Sequence, residues 1–215
     1  MPRVADHDAR HAQISDAVQR LIVRDGLAAV TVARTAAEAG VSVGLVQHYF
    51  TAKDDMLLTT FTHVNRRFTA RVDAAVNRGE TEGRTIAAML RQALAELVPL
   101  DDARRAEFLV RLAFADRAAH SARLAAVQRE TLAGVRARVT RAIDNGTECG
   151  EVDKGVNAGQ QALHIVAFAE GLALHTHIDP DGTPEVAVLA ALDDQLGRVF
   201  TGTCRHRRAQ GRASL

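Results

Sequence analysis

The chain has no tryptophan, one tyrosine, two cysteines and four prolines among 215 residues, and each shortage excludes something. Two cysteines, Cys149 and Cys204, cannot staple a small secreted scaffold, and their spacing matches no zinc-finger pattern, so they read as free thiols of a reducing compartment. Scarce proline removes the commonest helix breaker. A net charge of only +1 excludes a protein that holds nucleic acid by bulk positive charge. Up to Phe50, Arg3, Arg10, Arg20, Arg24 and Arg34 are cancelled by Asp6, Asp8, Asp16, Asp25 and Glu38. Any DNA surface must therefore come from the placement of charge. No apolar run approaches the ~20 residues of a membrane span, and the charged opening "MPRVADHDARHAQ" has no signal-peptide core. The expectation is a soluble, cytoplasmic protein without membrane association.

What is present is alanine, leucine, arginine and glutamate in helical spacing nearly throughout. Ile14, Val18, Leu21 and Ile22 mark a first helix from about Asp8 to Arg24. Thr31 caps a short second helix ending near Glu38, Ala39-Gly40-Val41 is a turn, and Ser42 caps a third helix through about His48. A longer helix starts near Lys53, with Leu57, Phe61, Val64, Phe68, Val72 and Val76 on one side. Further helices are expected over Ile86–Leu97, from Asp101 through Phe114, from Leu124 to an end at "DNGTECG", from Lys154 to Ile178 and from Thr183 to Phe200. This predicts an all-α fold of about nine helices. The expected division is a small helical domain at 1–52, a larger helical domain at 53–203, and a basic, flexible tail at 204–215.

The most informative stretch is "AAEAGVSVGLVQHYFTAKDDML". Two short helices joined by a tight turn containing glycine form a helix-turn-helix, whose second helix enters the major groove of DNA. With Gly26, Thr31, Ala36, Ala39-Gly40-Val41-Ser42, Gly44, His48-Tyr49-Phe50, Lys53 and Leu57 in this order, the region from about Ala9 to Leu58 resembles the TetR family of one-component transcriptional regulators. The helix count and the segment "EGLALHTHIDPDGTPE" are similar to the effector-binding domain of that family, in its choline-pathway (BetI-type) branch.

The resemblance implies roles. Ser42, Val43 and Gly44 would open the recognition helix against base edges. Gln47, one turn on, can offer a paired donor and acceptor to adenine. His48, Tyr49 and Lys53 would hold phosphates and fix register. The N-terminus capped by Thr31 could receive another phosphate. Phe50 is expected in the core. Three features depart from the pattern. Val43 stands where relatives often carry Lys or Arg, so it would touch a thymine methyl instead of guanine. Thr35 replaces a larger apolar residue, implying looser packing of the second helix. Asp54 and Asp55 beside Lys53 would repel phosphate.

The same resemblance implies a small-molecule effector, a palindromic operator in double-stranded DNA, and a homodimer through the last two helices, about 155–202. Ala158, Ala162, Ala169, Ala173, Ala187, Ala190 and Ala191 are the small residues suited to that interface. Met89, Phe108, Leu112, Phe114, Phe168 and Leu172 are candidates to line the effector pocket, with Asp116, His120, His164, Glu170 and His175 as polar anchors. Without tryptophan, and with Tyr49 in the DNA-binding region, an aromatic cage for a quaternary ammonium ion is poorly supplied. A mostly apolar effector is expected.

Against an enzyme stand the lack of a Gly-rich phosphate loop, of a Glu-x-x-His pair and of a nucleophile elbow. His7 and His11, four apart, are expected to be solvated, and no metal site or cofactor is expected. The function expected is a ligand-responsive repressor. The alternative is a helical ligand-binding or scaffolding protein without specific DNA binding.

Overall fold

A computed structural model describes the backbone of residues 2–204 and the side chains of residues 8–204. The His7 side chain, and the expected tail beyond Cys204, lie outside the described residues. Among these residues there are nine α-helices and no strand: α1 (Pro2–Asp25), α2 (Val32–Ala39), α3 (Val43–Tyr49), α4 (Lys53–Thr81), α5 (Ile86–Ala95), α6 (Asp102–Ala118), α7 (Ala122–Cys149), α8 (Ala158–Ile178) and α9 (Glu185–Gly197). None is long and apolar enough to cross a membrane.

At the starts of α2, α3, α5 and α8, as at others, short polar side chains accept an otherwise orphaned backbone N–H. Thr31 accepts from Arg34 at 3.3 Å, Ser42 from Leu45 at 3.1 Å, Thr85 from Ala88 at 3.2 Å and Asn157 from Gln160 at 3.0 Å. The Asn157 cap starts α8 at Ala158, a little after the expected Lys154. Helix α7 ends within "DNGTECG", as expected, at Cys149, and the chain turns at Gly150 with φ 94°. Gly146 is not a breaker. A Cβ there would lie 2.8 Å from Val152 and 3.0 Å from Phe200, so its bare backbone admits close packing.

The contacts sort the chain into two compact units. The first comprises residues up to Phe68 together with Arg105–Gln128. The boundary expected at residue 52 falls inside it. Helices α1–α3 alone are too small to enclose a core. Their apolar faces, including Ile14, Val18, Leu21, Val46 and Phe50, join Leu57 and Phe61 of α4, Val110 and Phe114 of α6 and Leu124 of α7. The Phe61 and Phe114 rings stack with centroids 3.8 Å apart and 7° between their planes. Phe114 is fully buried there. It belongs to the core, not to a pocket lining.

The second unit comprises Thr69–Arg104 and the described residues from Arg129 onward. Its core includes Val72, Leu90, Leu94, Ile143, Ile165 and Leu192. Met89 packs over Gly79, where a Cβ would come within 2.5 Å of it. Ala162, Ala169 and Ala173 are buried within this unit. Three of the alanines expected at a dimer interface thus pack their own chain, whereas Ala187 and Ala190 are exposed and Ala158 and Ala191 half-buried.

Thr35 is wholly buried, and its Oγ1 has no hydrogen-bond partner. A buried hydroxyl without a partner costs about 1–3 kcal/mol. Thr35→Val keeps the shape and removes that cost. It should raise the midpoint of urea unfolding, with a gain of about 1 kcal/mol.

Candidate nucleic-acid interface

The turn between α2 and α3 is fixed by backbone chemistry. Gly40 sits in the left-handed region at φ 66°, ψ 36°, where glycine meets no Cβ penalty. Val41 N–H donates to Ala36 O at 3.0 Å and Gly40 N–H to Ala37 O at 3.3 Å, the paired bonds of a Schellman ending. The next two carbonyls of α2 are taken by α1: Arg20 donates to Glu38 O at 3.0 Å, and Gln13 Nε2 to Ala39 O at 2.8 Å. Helix α1 therefore grips α2 at the point where the chain turns into α3.

Helix α3 is seven residues long, about 10 Å at 1.5 Å per residue. Val46 is fully buried and Phe50 nearly so, leaving Ser42, Val43, Gly44, Gln47 and His48 exposed. The space a Cβ on Gly44 would occupy is open. Tyr49 is half-buried, its ring meeting His11 edge-on at 5.1 Å and His48 at 5.4 Å. His11, expected to be solvated, is instead half-buried between Tyr49 and Phe50. Tyr49 is thus part core and part surface. Thr31 is exposed at the start of α2.

Lys53 opens α4 half-buried, with Nζ 3.5 Å from Ala28 O. Burial first, then the Arg117 charge, holds its pKa below the usual lysine value. The acidic neighbours of Lys53 are not left unbalanced. Arg117 clasps Asp54 at 2.8 and 3.2 Å, and Arg123 reaches Asp55 at 2.8 Å. The Asp55 carboxyl is held below its ordinary value, chiefly by the Thr51 hydroxyl and then by Arg123. Expected repulsion of phosphate by this pair is offset from α6 and α7. No signal near residue 53 could reveal a partner 63 positions away.

Two further acids, Asp25 at the end of α1 and Glu38 in α2, are engaged in the same way. Glu38 accepts from Arg20 at 2.7 Å and Arg24 at 3.1 Å, and Asp25 pairs with Arg24 and Arg34. These arginines hold the Glu38 carboxyl below its usual pKa, Arg20 contributing most. From Ala39 to Lys53 the sequence contains no carboxylate. Near-neutral composition therefore coexists with a recognition face free of negative side chains.

The effector candidates are placed on both units. Phe108 is buried on α6 under the Arg111 guanidinium, 5.5 Å from the ring centroid, while Leu112 and Asp116 are exposed. In the second unit Met89 is half-buried on α5. His164, Phe168, Glu170 and His175 lie on the exposed side of α8, the first two and His175 along one face. A cleft of about 290 Å³ between α5 and α9 is lined by Thr85, Ala88, Arg91, Asp193, Leu196 and Phe200 among others, and by none of these candidates.

A two-helix reader with an acid-free face, fused to a larger helical unit, defines a DNA-binding regulator of the helix-turn-helix class. Residues 14–60 match the model of bacterial regulatory proteins of the tetR family, and residues 86–201 match the C-terminal model of BetI-type transcriptional repressors. The chain belongs to the TetR family of transcriptional regulators. It is 29% identical over 182 residues to the HTH-type transcriptional regulator PksA of Bacillus subtilis (strain 168), covering 84% of each chain. A solved transcriptional regulator from Rhodococcus sp. Rha1 is 31% identical, with TM-score 0.77, across 89% of this chain and 96% of that one. A transcriptional regulator of Saccharomonospora viridis, solved with choline, shares the fold at 20% identity and TM-score 0.74, over 87% of this chain and 95% of its own. These relatives are regulators of transcription, not enzymes.

Arg117→Ala would leave Asp54 unbalanced beside Lys53. Affinity for any duplex DNA should fall by roughly two- to three-fold, as for other exposed pairs. The loss should fade as salt is raised, and anisotropy titrations at two ionic strengths will show it.

Proposed function

We propose that this chain is a homodimeric repressor that reads a palindromic operator and leaves it when a small, mostly apolar molecule binds. The observation that carries this reading is the exposed, acid-free face of α3, held on a capped helix-turn-helix. Ser42, Val43, Gly44 and Gln47 meet base edges, Gln47 suited to an adenine and Val43 to a thymine methyl. Thr31, His48, Tyr49 and Lys53 position the backbone of the duplex. The open space at Gly44 lets DNA approach the helix closely.

Dimerisation is supported by an unpartnered apolar face on α8 and α9. Leu163, Leu174, Ile178 and Val186 are exposed, Ile178 at 72% and Val186 at 75%, which is unusual for a monomer. A two-fold pair would space the recognition helices for half-sites one helical turn apart or a multiple of it. The effector acts through differential affinity for the DNA-bound and free conformations, since equal affinity would shift nothing. Phe108, Leu112 and Asp116, and separately Met89, His164, Phe168, Glu170 and His175, are the residues proposed to meet it.

The aromatic inventory supports an apolar effector. Phe50, Phe61 and Phe114 are core residues, and the second unit has only Phe168 and Phe200. Cages for quaternary ammonium ions are built from several rings, best of all Trp or Tyr.

The test is a titration of the protein against DNA flanking its own gene. One fragment should bind tightly and with strong salt dependence, and a scrambled control weakly. Gln47→Ala should cost roughly 1–3 kcal/mol and relax preference at one base position, whereas Lys53→Ala should weaken all sequences alike and reduce the salt slope by about one. Equal, weak binding to every fragment by refolded, ligand-stripped protein would remove the reading. Calorimetry with choline should show no micromolar binding. Micromolar binding would overturn the apolar effector while leaving the DNA-binding reading intact.

A further inference from the structure

Cys149 and Cys204 are far apart in sequence, yet the fold brings their sulfurs together with a carboxylate. The Sγ atoms of both and a carboxylate oxygen of Glu151 all lie within 4.8 Å of one another. From this juxtaposition we infer that Cys149, Glu151 and Cys204 form a binding site for one soft divalent metal ion of the zinc class. The inference goes beyond DNA binding and does not depend on it.

Each donor is delivered by structure that exists without an ion. Cys149 is the last residue of α7, and the turn at Gly150 brings Glu151 beside it. Gly202 N–H donates to Glu151 O at 2.9 Å. A Cβ on Gly202 would lie 2.2 Å from Gly150 O, so glycine is needed for this approach. Thr201 Oγ1 is 3.3 Å from Asp153 Oδ2. The segment leading to Cys204 is thus seated against the end of α7. The Glu151 side chain is oriented too, its oxygens accepting Ile86 N–H and Ala87 N–H, each at 3.1 Å. A carboxylate oxygen that accepts one such bond keeps a lone pair for a metal, and outer bonds of this kind fix a ligand's direction.

The donor set selects the ion. Two sulfurs and one carboxylate favour zinc-like ions over calcium or magnesium, which prefer all-oxygen shells. Zinc–sulfur bonds of about 2.3 Å in a tetrahedral site place two sulfurs roughly 3.8 Å apart. To reach that geometry the two sulfurs need to close by about 1 Å at most, and each sulfur and the carboxylate oxygen by about 1.3 Å at most. Three protein ligands leave a fourth position for water. On binding, each thiol transfers its proton to solvent and the sulfur lone pair to the ion, so about two protons are released per ion.

The test uses untagged, full-length protein kept reduced with a phosphine and titrated with cobalt(II), then zinc(II). One cobalt ion per chain should bind, giving a thiolate-to-metal charge-transfer band and the visible bands of a tetrahedral ion, both lost on adding zinc. Cys204→Ser, a change at a part-exposed position, should keep the helical circular dichroism and weaken binding by roughly 100-fold or more. Cys149→Ser should abolish the band. No charge-transfer band in the wild type, or an equal band in both serine variants, overturns the site. So does a pair that diamide oxidises to a disulfide while the reduced protein takes up no ion.

Discussion

A helix of seven residues has no stability of its own, because nucleation costs more than so few hydrogen bonds return. Everything the DNA-binding unit does depends on holding α3 in one orientation regardless. Burial of Val46 and Phe50 fixes one side of it. The left-handed Gly40 and the Ser42 cap fix its beginning. Gln13 and Arg20 of α1 take the last carbonyls of α2, so that the turn itself is tethered. The exposed side is then free to carry residues chosen for a partner.

The same economy governs charge. A near-neutral chain cannot attract DNA as a polycation does, yet affinity depends on local potential as much as on totals. Here Asp25 at the end of α1, Glu38 of α2 and Asp54 and Asp55 at the start of α4 are each matched by an arginine, in pairs that are exposed and individually weak. Their value lies in which side chains remain near α3: Lys53, His48, the hydroxyls of Ser42 and Thr31, and no acid. Neutrality of the whole and suitability of the face are compatible.

In the second unit glycine and alanine serve close approach. Gly146, Gly79 and Gly202 each stand where another side chain or a backbone oxygen occupies the space of a Cβ. Buried alanines on α8 do the same between helices. What remains outside is a set of larger apolar residues, and these carry the proposed dimer contact. Glu151 links several parts of this unit, capping α5 through its carboxylate while its carbonyl receives Gly202.

The sequence by itself determined the helices and the reader. Periods of three and four, capping by Thr31 and Ser42, and glycine at the left-handed turn between α2 and α3 are local rules, and local rules are legible in a string of residues. The exposed positions of Ser42, Val43, Gly44, Gln47 and His48 follow from them. Only the tertiary structure decided that α6 joins the core of the first unit, that Arg117 and Arg123 neutralise Asp54 and Asp55, that His11 packs on Tyr49, and that Gly146 lies inside a helix. It also decided which alanines face inward and that Cys149 meets Cys204. Each of these is a contact between residues distant along the chain, set by how whole faces pack, and no periodicity or spacing encodes the partner.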